Sequence, residues 1–138
     1  MSRLGFTLLE VMLVVFIIGL LATLVVPTLT GRSDEARRTK AIADMSGCAQ
    51  ALNLYRLDAG SFPTTTQGLE ALVKRPEQAP VPAKWNPHGY LERTPLDPWG
   101  RPYLYLSDGN KFTLKSLGAD GLEGGEGVAA DIDQHDAP

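Results

Sequence analysis

The chain has 138 residues, 43% of them hydrophobic and 21% charged, with a formal net charge of −3 and a single cysteine. Net negative charge gives no basis for bulk nucleic-acid binding, and a lone Cys48 excludes an internal disulfide. With an apolar amino-terminal run set aside, roughly 105 residues remain, enough for one hydrophobic core and too few for two.

Residues 1–5 form a short polar leader carrying Arg3, and from Phe6 to Val26 the only charge in 21 positions is Glu10. As a helix this run would be about 31 Å long, matching a bilayer's hydrocarbon thickness. It is expected to cross a membrane once. A carboxylate near the start of such a helix costs roughly 3 kcal/mol to insert, so Glu10 calls for a cation at its own depth. The nearest candidate is a new amino terminus made by cutting between Gly5 and Phe6. Gly5 directly before Phe6-Thr7-Leu8-Leu9-Glu10, with the acid fifth after the glycine, resembles the prepilin-peptidase signal of the type IV pilin-like superfamily. That resemblance implies cleavage after Gly5 by a prepilin peptidase, N-methylation of Phe6, and filament assembly in which each Glu10 neutralises the Phe6 amine of a neighbouring subunit. An ordinary secretory signal fits less well, because no small-residue cleavage site follows Val26. The cations Arg32, Arg37, Arg38 and Lys40 would by themselves place the rest of the chain on the cytoplasmic side. The resemblance implies the reverse, with the leader cytoplasmic and the remainder periplasmic, and the cleavage motif is the more specific signal.

Gly19 costs about 1 kcal/mol relative to Ala in a helix interior, and Pro27 deletes one backbone hydrogen bond. Gly31 weakens the following turn, so a kink is expected there. In related filaments the region matching Gly19 to Pro27 loses helicity on assembly, which the resemblance implies here as well. Beyond it, Ile42, Met45, Ala49, Leu52 and Tyr55 recur at three- and four-residue steps, predicting an amphipathic helix that stops near Asp58-Ala59-Gly60. The expected organisation is a cleaved leader over 1–5, a transmembrane and polymerisation half-helix over 6–31, and a periplasmic globular domain over 32–138 that includes the amphipathic half of the helix. Cys48 adjoins the apolar stripe and reads as a buried, inert thiol.

Thr64-Thr-Thr-Gln67 has the form of a capping box opening a short helix through Leu69, Leu72 and Val73. Pro76, Pro80, Pro82 and Pro87 break regular structure for the next dozen residues. Tyr103 to Leu106, a Ser107-Asp108-Gly109-Asn110 turn, and Lys111 to Lys115 read as a β-hairpin, with Phe112 and Leu114 on one face. The predicted fold class is α+β: a long kinked amino-terminal helix packed on a small antiparallel sheet, with a C-terminal loop.

Phe62 to Leu69, Pro95-Leu-Asp-Pro-Trp-Gly100 and Ser116-Leu-Gly-Ala-Asp-Gly121, in this order, resemble the major pseudopilins of bacterial type II secretion systems. The match runs from Gly5 to about Ile132. Read from its residues alone, the Pro95 to Gly100 segment is a turn, with Pro98 fixing φ, Gly100 permitting positive φ, and Trp99 as a buried aromatic anchor.

From Ser116 to Pro138 there are six carboxylates, on Asp120, Glu123, Glu126, Asp131, Asp133 and Asp136, and no Lys or Arg. Without a cation they repel one another, and the loop is expected to be disordered. Hard oxygen ligands on a glycine-rich loop suit Ca²⁺, although the spacing is not that of an EF-hand and a solvated acidic tail is the alternative. The resemblance implies one calcium site, held by the Leu117 carbonyl, the Asp120 carboxylate, a carbonyl near Val128 and the Asp131 carboxylate. Some relatives carry two adjacent aspartates where this chain has Ala130-Asp131, one charged ligand fewer, with Glu126 or water as compensation.

No catalytic constellation is legible. His88 reads as a loop residue and His135 as part of the tail, and Ser61 and Ser116 lack motif context. The expected role is structural: a non-enzymatic subunit that self-associates into a periplasmic pseudopilus with minor pseudopilins and an inner-membrane assembly platform, helping drive folded proteins across the outer membrane. A membrane-anchored calcium-binding module that never polymerises, and a type IV pilin for adhesion or motility, are the alternative readings.

Overall fold

The computed structural model describes residues 5–134, with backbone alone along 24–31. Two compact units result, Met1–Asp34 and Glu35–Pro138. One helix, α1 (Leu8–Ala59), runs through both. The backbone is helical through Pro27 and Gly31, where a kink was expected. Among the described residues no helix is long and apolar enough to cross a membrane. The run expected to do so ends at Leu24 to Val26, whose side chains are outside that description.

Within the first unit, the side chains of Phe6, Leu8, Leu9, Met12 and Phe16 are all well exposed. In the second unit the helix buries one face only. Ala41, Met45, Cys48, Leu52 and Tyr55, at alternating steps of four and three, are almost inaccessible. This stripe is turned slightly from the predicted one. Ala41 and Cys48 take the places of Ile42 and Ala49, which are only half-buried, and Ala51 is buried as well. The helix ends as expected: the Gly60 N–H donates to the Arg56 carbonyl at 2.8 Å and Gly60 takes φ +84°, a left-handed residue past the C-cap that costs a glycine little.

Facing the stripe are Phe62, Leu69, Leu72, Tyr103, Tyr105, Leu114 and Ile132. Phe62 meets Phe112 edge-on at 4.8 Å between ring centroids. The capping box forms reciprocally, Gln67 N–H to Thr64 Oγ1 at 3.3 Å and Thr64 N–H to Gln67 Oε1 at 3.0 Å. It closes a turn leading into the expected short helix, which is a 3-10 helix over Leu69–Leu72; Gly68, with φ +61° and extended ψ, precedes it.

The sheet is antiparallel, in the order β1 (Leu104–Ser107), β2 (Phe112–Ser116) and β3 (Ile132–Asp133). Leu104 opposes Lys115 and Ser107 opposes Phe112, as the predicted hairpin requires. Strand β3, paired through Lys115↔Asp133 and Ser116↔Ile132, has no signature in the sequence because two residues are too few for an alternation to show. At the end of the edge strand β1, the Ser107 N–H donates to Thr65 Oγ1 at 2.8 Å, and that hydroxyl donates back to the Ser107 carbonyl at 3.1 Å.

Residues 76–94 lack regular structure yet are firmly tied down. Trp85 Nε1 donates to the Ala71 carbonyl at 3.0 Å, and the Tyr90 and Leu91 N–H groups both reach the Leu72 carbonyl. Tyr90 packs edge-on against Tyr55 and Trp85. Its hydroxyl donates to Asp58 Oδ2 at 2.8 Å, while Lys84 Nζ lies 3.1 Å from Asp58 Oδ1. The Tyr90 hydroxyl, and after it Lys84, hold the Asp58 carboxyl below the ordinary range. A lowered folded pKa adds stability that is fully present above the ordinary carboxyl value and lost as pH falls through the folded value. Tyr90→Phe removes the larger cause, so its melting temperature should fall less steeply than that of the unaltered chain between about pH 5 and pH 2. Parallel acid slopes in a thermal-melt series would show that the hydrogen bond carries no such linkage.

Candidate functional site

The amino-terminal motif starts α1. Thr7 is its N-cap: the Glu10 N–H lies 3.3 Å from Thr7 Oγ1 and 3.1 Å from the Thr7 carbonyl. Glu10 thus occupies the first turn, where a carboxylate complements the helix dipole. Its side chain is exposed, and among the described residues no cation pairs with it. A Cβ added at Gly5 or Gly19 would meet nothing within 4 Å, so no contact among the described residues requires glycine at either position. Pro27 lies where side chains are not described.

The acidic segment closes on itself between β2 and β3. Inside it, the Ala119 N–H donates to the Val128 carbonyl at 3.1 Å and the Asp131 N–H to the Gly124 carbonyl at 3.1 Å. These bonds gather Leu117, Asp120, Val128 and Asp131 into one closed loop. Gly118, at φ +64°, has the Ala130 carbonyl oxygen 2.7 Å from where a Cβ would stand, and Gly121, at φ +69°, has the Arg101 guanidinium equally close. Only glycine fits either place.

Asp131 is the most enclosed of the loop carboxylates, its side chain 14% exposed. Its Oδ2 lies 3.3 Å from Lys115 Nζ, while Oδ1 is buried and among the described residues has no hydrogen-bond partner. Leaving a charged acceptor buried and unsatisfied is costly, and a hard cation is what such an oxygen suits. Asp120 is exposed, its Oδ1 accepting the Leu122 N–H at 3.0 Å. Among the described residues no three His, Cys, Asp or Glu side chains converge as a metal cluster. Any ion here would draw on backbone carbonyls as well as the two aspartates, a donor set fitting Ca²⁺.

Three cations reach this loop from outside it, and the sequence reading had missed them. Arg38 of α1 donates to the Ala130 carbonyl at 2.7 Å and to that of Asp131 at 3.4 Å. Arg101 donates to the Gly118 carbonyl at 2.8 Å and to that of Ala119 at 3.0 Å. Lys115 lies between Asp131 and Asp133, at 3.3 and 3.6 Å; the Asp131 hydrogen bond, and then the charge of Asp133, raise its pKa. The expectation of an unrelieved, disordered cluster is corrected accordingly: Asp131 and Asp133 are neutralised and the loop's backbone is clamped. The Arg38 contact spans 92 positions, a separation at which no local pattern could signal it.

Arg101 owes its place to the turn before β1. Asp97, buried, accepts the Arg101 N–H at 2.8 Å, the Trp99 N–H at 3.1 Å and the Ser116 hydroxyl at 3.0 Å. Gly100 takes φ +84° as predicted. The anchor of this turn is Asp97 and not Trp99, which is only half-buried, because a buried carboxylate must satisfy its oxygens and here does so with three donors. Cys48 is buried and its thiol pushed up to about 11, chiefly by that burial, which leaves little nucleophilic thiolate. His88 is exposed in its loop, and His135 lies outside the described residues.

A family model described as type II secretion system protein G matches residues 28–135, and one described as the prokaryotic N-terminal methylation motif matches residues 1–26. Among curated proteins, the type II secretion system core protein G of Pseudomonas aeruginosa is 54% identical, over 96% of this chain and 94% of its own length. That of Vibrio cholerae is 53% identical over 93% and 88%. A crystal structure of the major pseudopilin from the type 2 secretion system of enterohaemorrhagic Escherichia coli superposes with a TM-score of 0.67 at 39% identity, over 76% of this chain and 87% of that one.

Arg101→Gln should strand the Gly118 and Ala119 carbonyls, costing about 1–3 kcal/mol of stability. Amide exchange across residues 117–129 should accelerate while exchange in α1 stays slow. Unchanged exchange in the loop would show that the guanidinium does not hold it.

Proposed function

We propose that this chain, which belongs to the type II secretion system protein G family, is the structural subunit of that system's pseudopilus, anchored in a membrane by its amino-terminal helix before assembly and presenting its globular part in the periplasm. The observation that carries this reading is the contrast along α1. Apart from Glu10 and Thr23, its described side chains up to residue 23 are apolar, with Leu8 80% and Phe16 69% exposed, a surface that demands lipid or other helices. Its second part buries a single stripe.

In finer terms, a prepilin peptidase removes residues 1–5 and the Phe6 amine is methylated. The helix crosses the bacterial inner membrane once with the leader cytoplasmic. Assembly then buries the amino-terminal helices against one another, with Glu10 of each subunit meeting the Phe6 ammonium of a neighbour. The exposed Glu10, with no cation beside it among the described residues, and the open space around Gly5 and Gly19 support this. The stretch from Gly19 to Pro27, helical in the single chain, loses helicity as the filament forms. Minor pseudopilins and an inner-membrane platform are the assembly partners, and the growing filament helps move folded proteins across the outer membrane. The role is mechanical, with no catalytic step.

The C-terminal loop is read as a site for one Ca²⁺, held by the Asp120 and Asp131 carboxylates with the Leu117 and Val128 carbonyls. The ion would supply positive charge to the unpartnered Asp131 oxygen. Gly118 and Gly121 let the loop turn tightly enough to present these groups, and Arg38 and Arg101 hold its two limbs.

Glu10→Ala in cells expressing the secretion machinery should abolish fibres seen by electron microscopy while leaving membrane insertion and the globular fold intact. Normal fibre yield would overturn the assembly reading. For the ion, the full chain in detergent should melt higher in Ca²⁺ than in chelator, gaining about 2.7 kcal/mol at a hundredfold excess over the dissociation constant. Asp131→Ala should erase the difference. Equal melting in both buffers would leave a merely solvated acidic loop.

A further inference from the structure

We infer that Lys115 sets the calcium affinity of the C-terminal loop by holding part of the ion's place in the metal-free fold. The inference rests on the calcium reading above and adds a residue to it. The register puts Lys115 directly opposite Asp133 across β2 and β3, so its ammonium emerges beside Asp133 and reaches Asp131. All three side chains are at most about a third exposed, at 31%, 14% and 31% for Lys115, Asp131 and Asp133. Water therefore screens the group only in part.

The two oxygens of Asp131 divide the work. Oδ2 is taken by the ammonium, and Oδ1 has no hydrogen-bond partner among the described residues. A Ca²⁺ ion held through Oδ1 alone would sit beside a fixed positive charge. An ion held through both oxygens would first have to break the Lys115 contact. Either course weakens binding relative to a loop with a neutral residue at this position. The deficit adds to that of Ala130, which supplies no carboxylate. In return the ammonium, a compact charge on a flexible stem, neutralises Asp131 and Asp133 when no ion is bound. The loop thus keeps its fold without metal and takes up calcium only at higher concentration.

The test compares the full chain in detergent micelles with Lys115→Met and Lys115→Gln, by calorimetric titration of CaCl₂ and by thermal melting in EGTA. Both variants should bind Ca²⁺ about tenfold more tightly than the unaltered chain while melting lower in EGTA. Lys115→Arg should restore both values. A merely structural lysine would lower the melting temperature without tightening calcium binding, so equal or weaker affinity in Lys115→Met and Lys115→Gln overturns the inference and leaves the calcium site standing. Absence of calcium binding in all four proteins would overturn the site itself, and this inference with it.

Discussion

One helix must satisfy two surroundings, and the rest of the molecule follows from that constraint. Up to Thr23 the described side chains of α1 are apolar on every side apart from Glu10 and Thr23, which suits lipid or a bundle of like helices. From Ala41 onward most of its surface meets water, and it buries Ala41, Met45, Cys48, Ala51, Leu52 and Tyr55. A stripe that narrow cannot stabilise a domain alone. A three-stranded sheet, the 3-10 helix Leu69–Leu72 and a pinned loop complete the core together with the aromatic residues Phe62, Tyr90, Tyr103 and Tyr105.

Polar groups are organised around the same economy. Asp97 is buried yet satisfied three times over, and in satisfying itself it fixes both the start of β1 and, through Ser116, the end of β2. Arg101 leaves that turn pointed at the Gly118 and Ala119 carbonyls. Arg38 leaves α1 pointed at the other limb of the same loop. The acidic loop is accordingly built by cations that belong to the helix and the sheet, and a metal ion would be added to a frame already standing.

Features governed by neighbours in sequence were legible before the structure was seen. The Thr64 and Gln67 capping box, the Gly60 helix stop, the Gly100 turn and the β1–β2 hairpin all form, since each is decided within a few residues. The stripe on α1 was readable to within one position, because periodicity fixes a face but not which small residue sits closest to the sheet. Strand β3 was not readable: two residues adopt extended geometry only because β2 offers them an edge. The same holds for the candidate ion site. Its acidic residues and glycines stand in one segment, while Arg38, Arg101 and Lys115 are delivered to it by the fold.

The Thr65 hydroxyl at the end of β1 carries a consequence for crowding. A pseudopilus brings many copies of one sheet together at very high local concentration, and an open edge strand is a template on which identical strands can pair. By taking both the N–H and the carbonyl of Ser107, Thr65 shortens the stretch of edge on offer, and the three-stranded sheet is too small to present a long one elsewhere. The same hydroxyl that finishes the hairpin therefore also disfavours pairing between identical sheets at that end of β1.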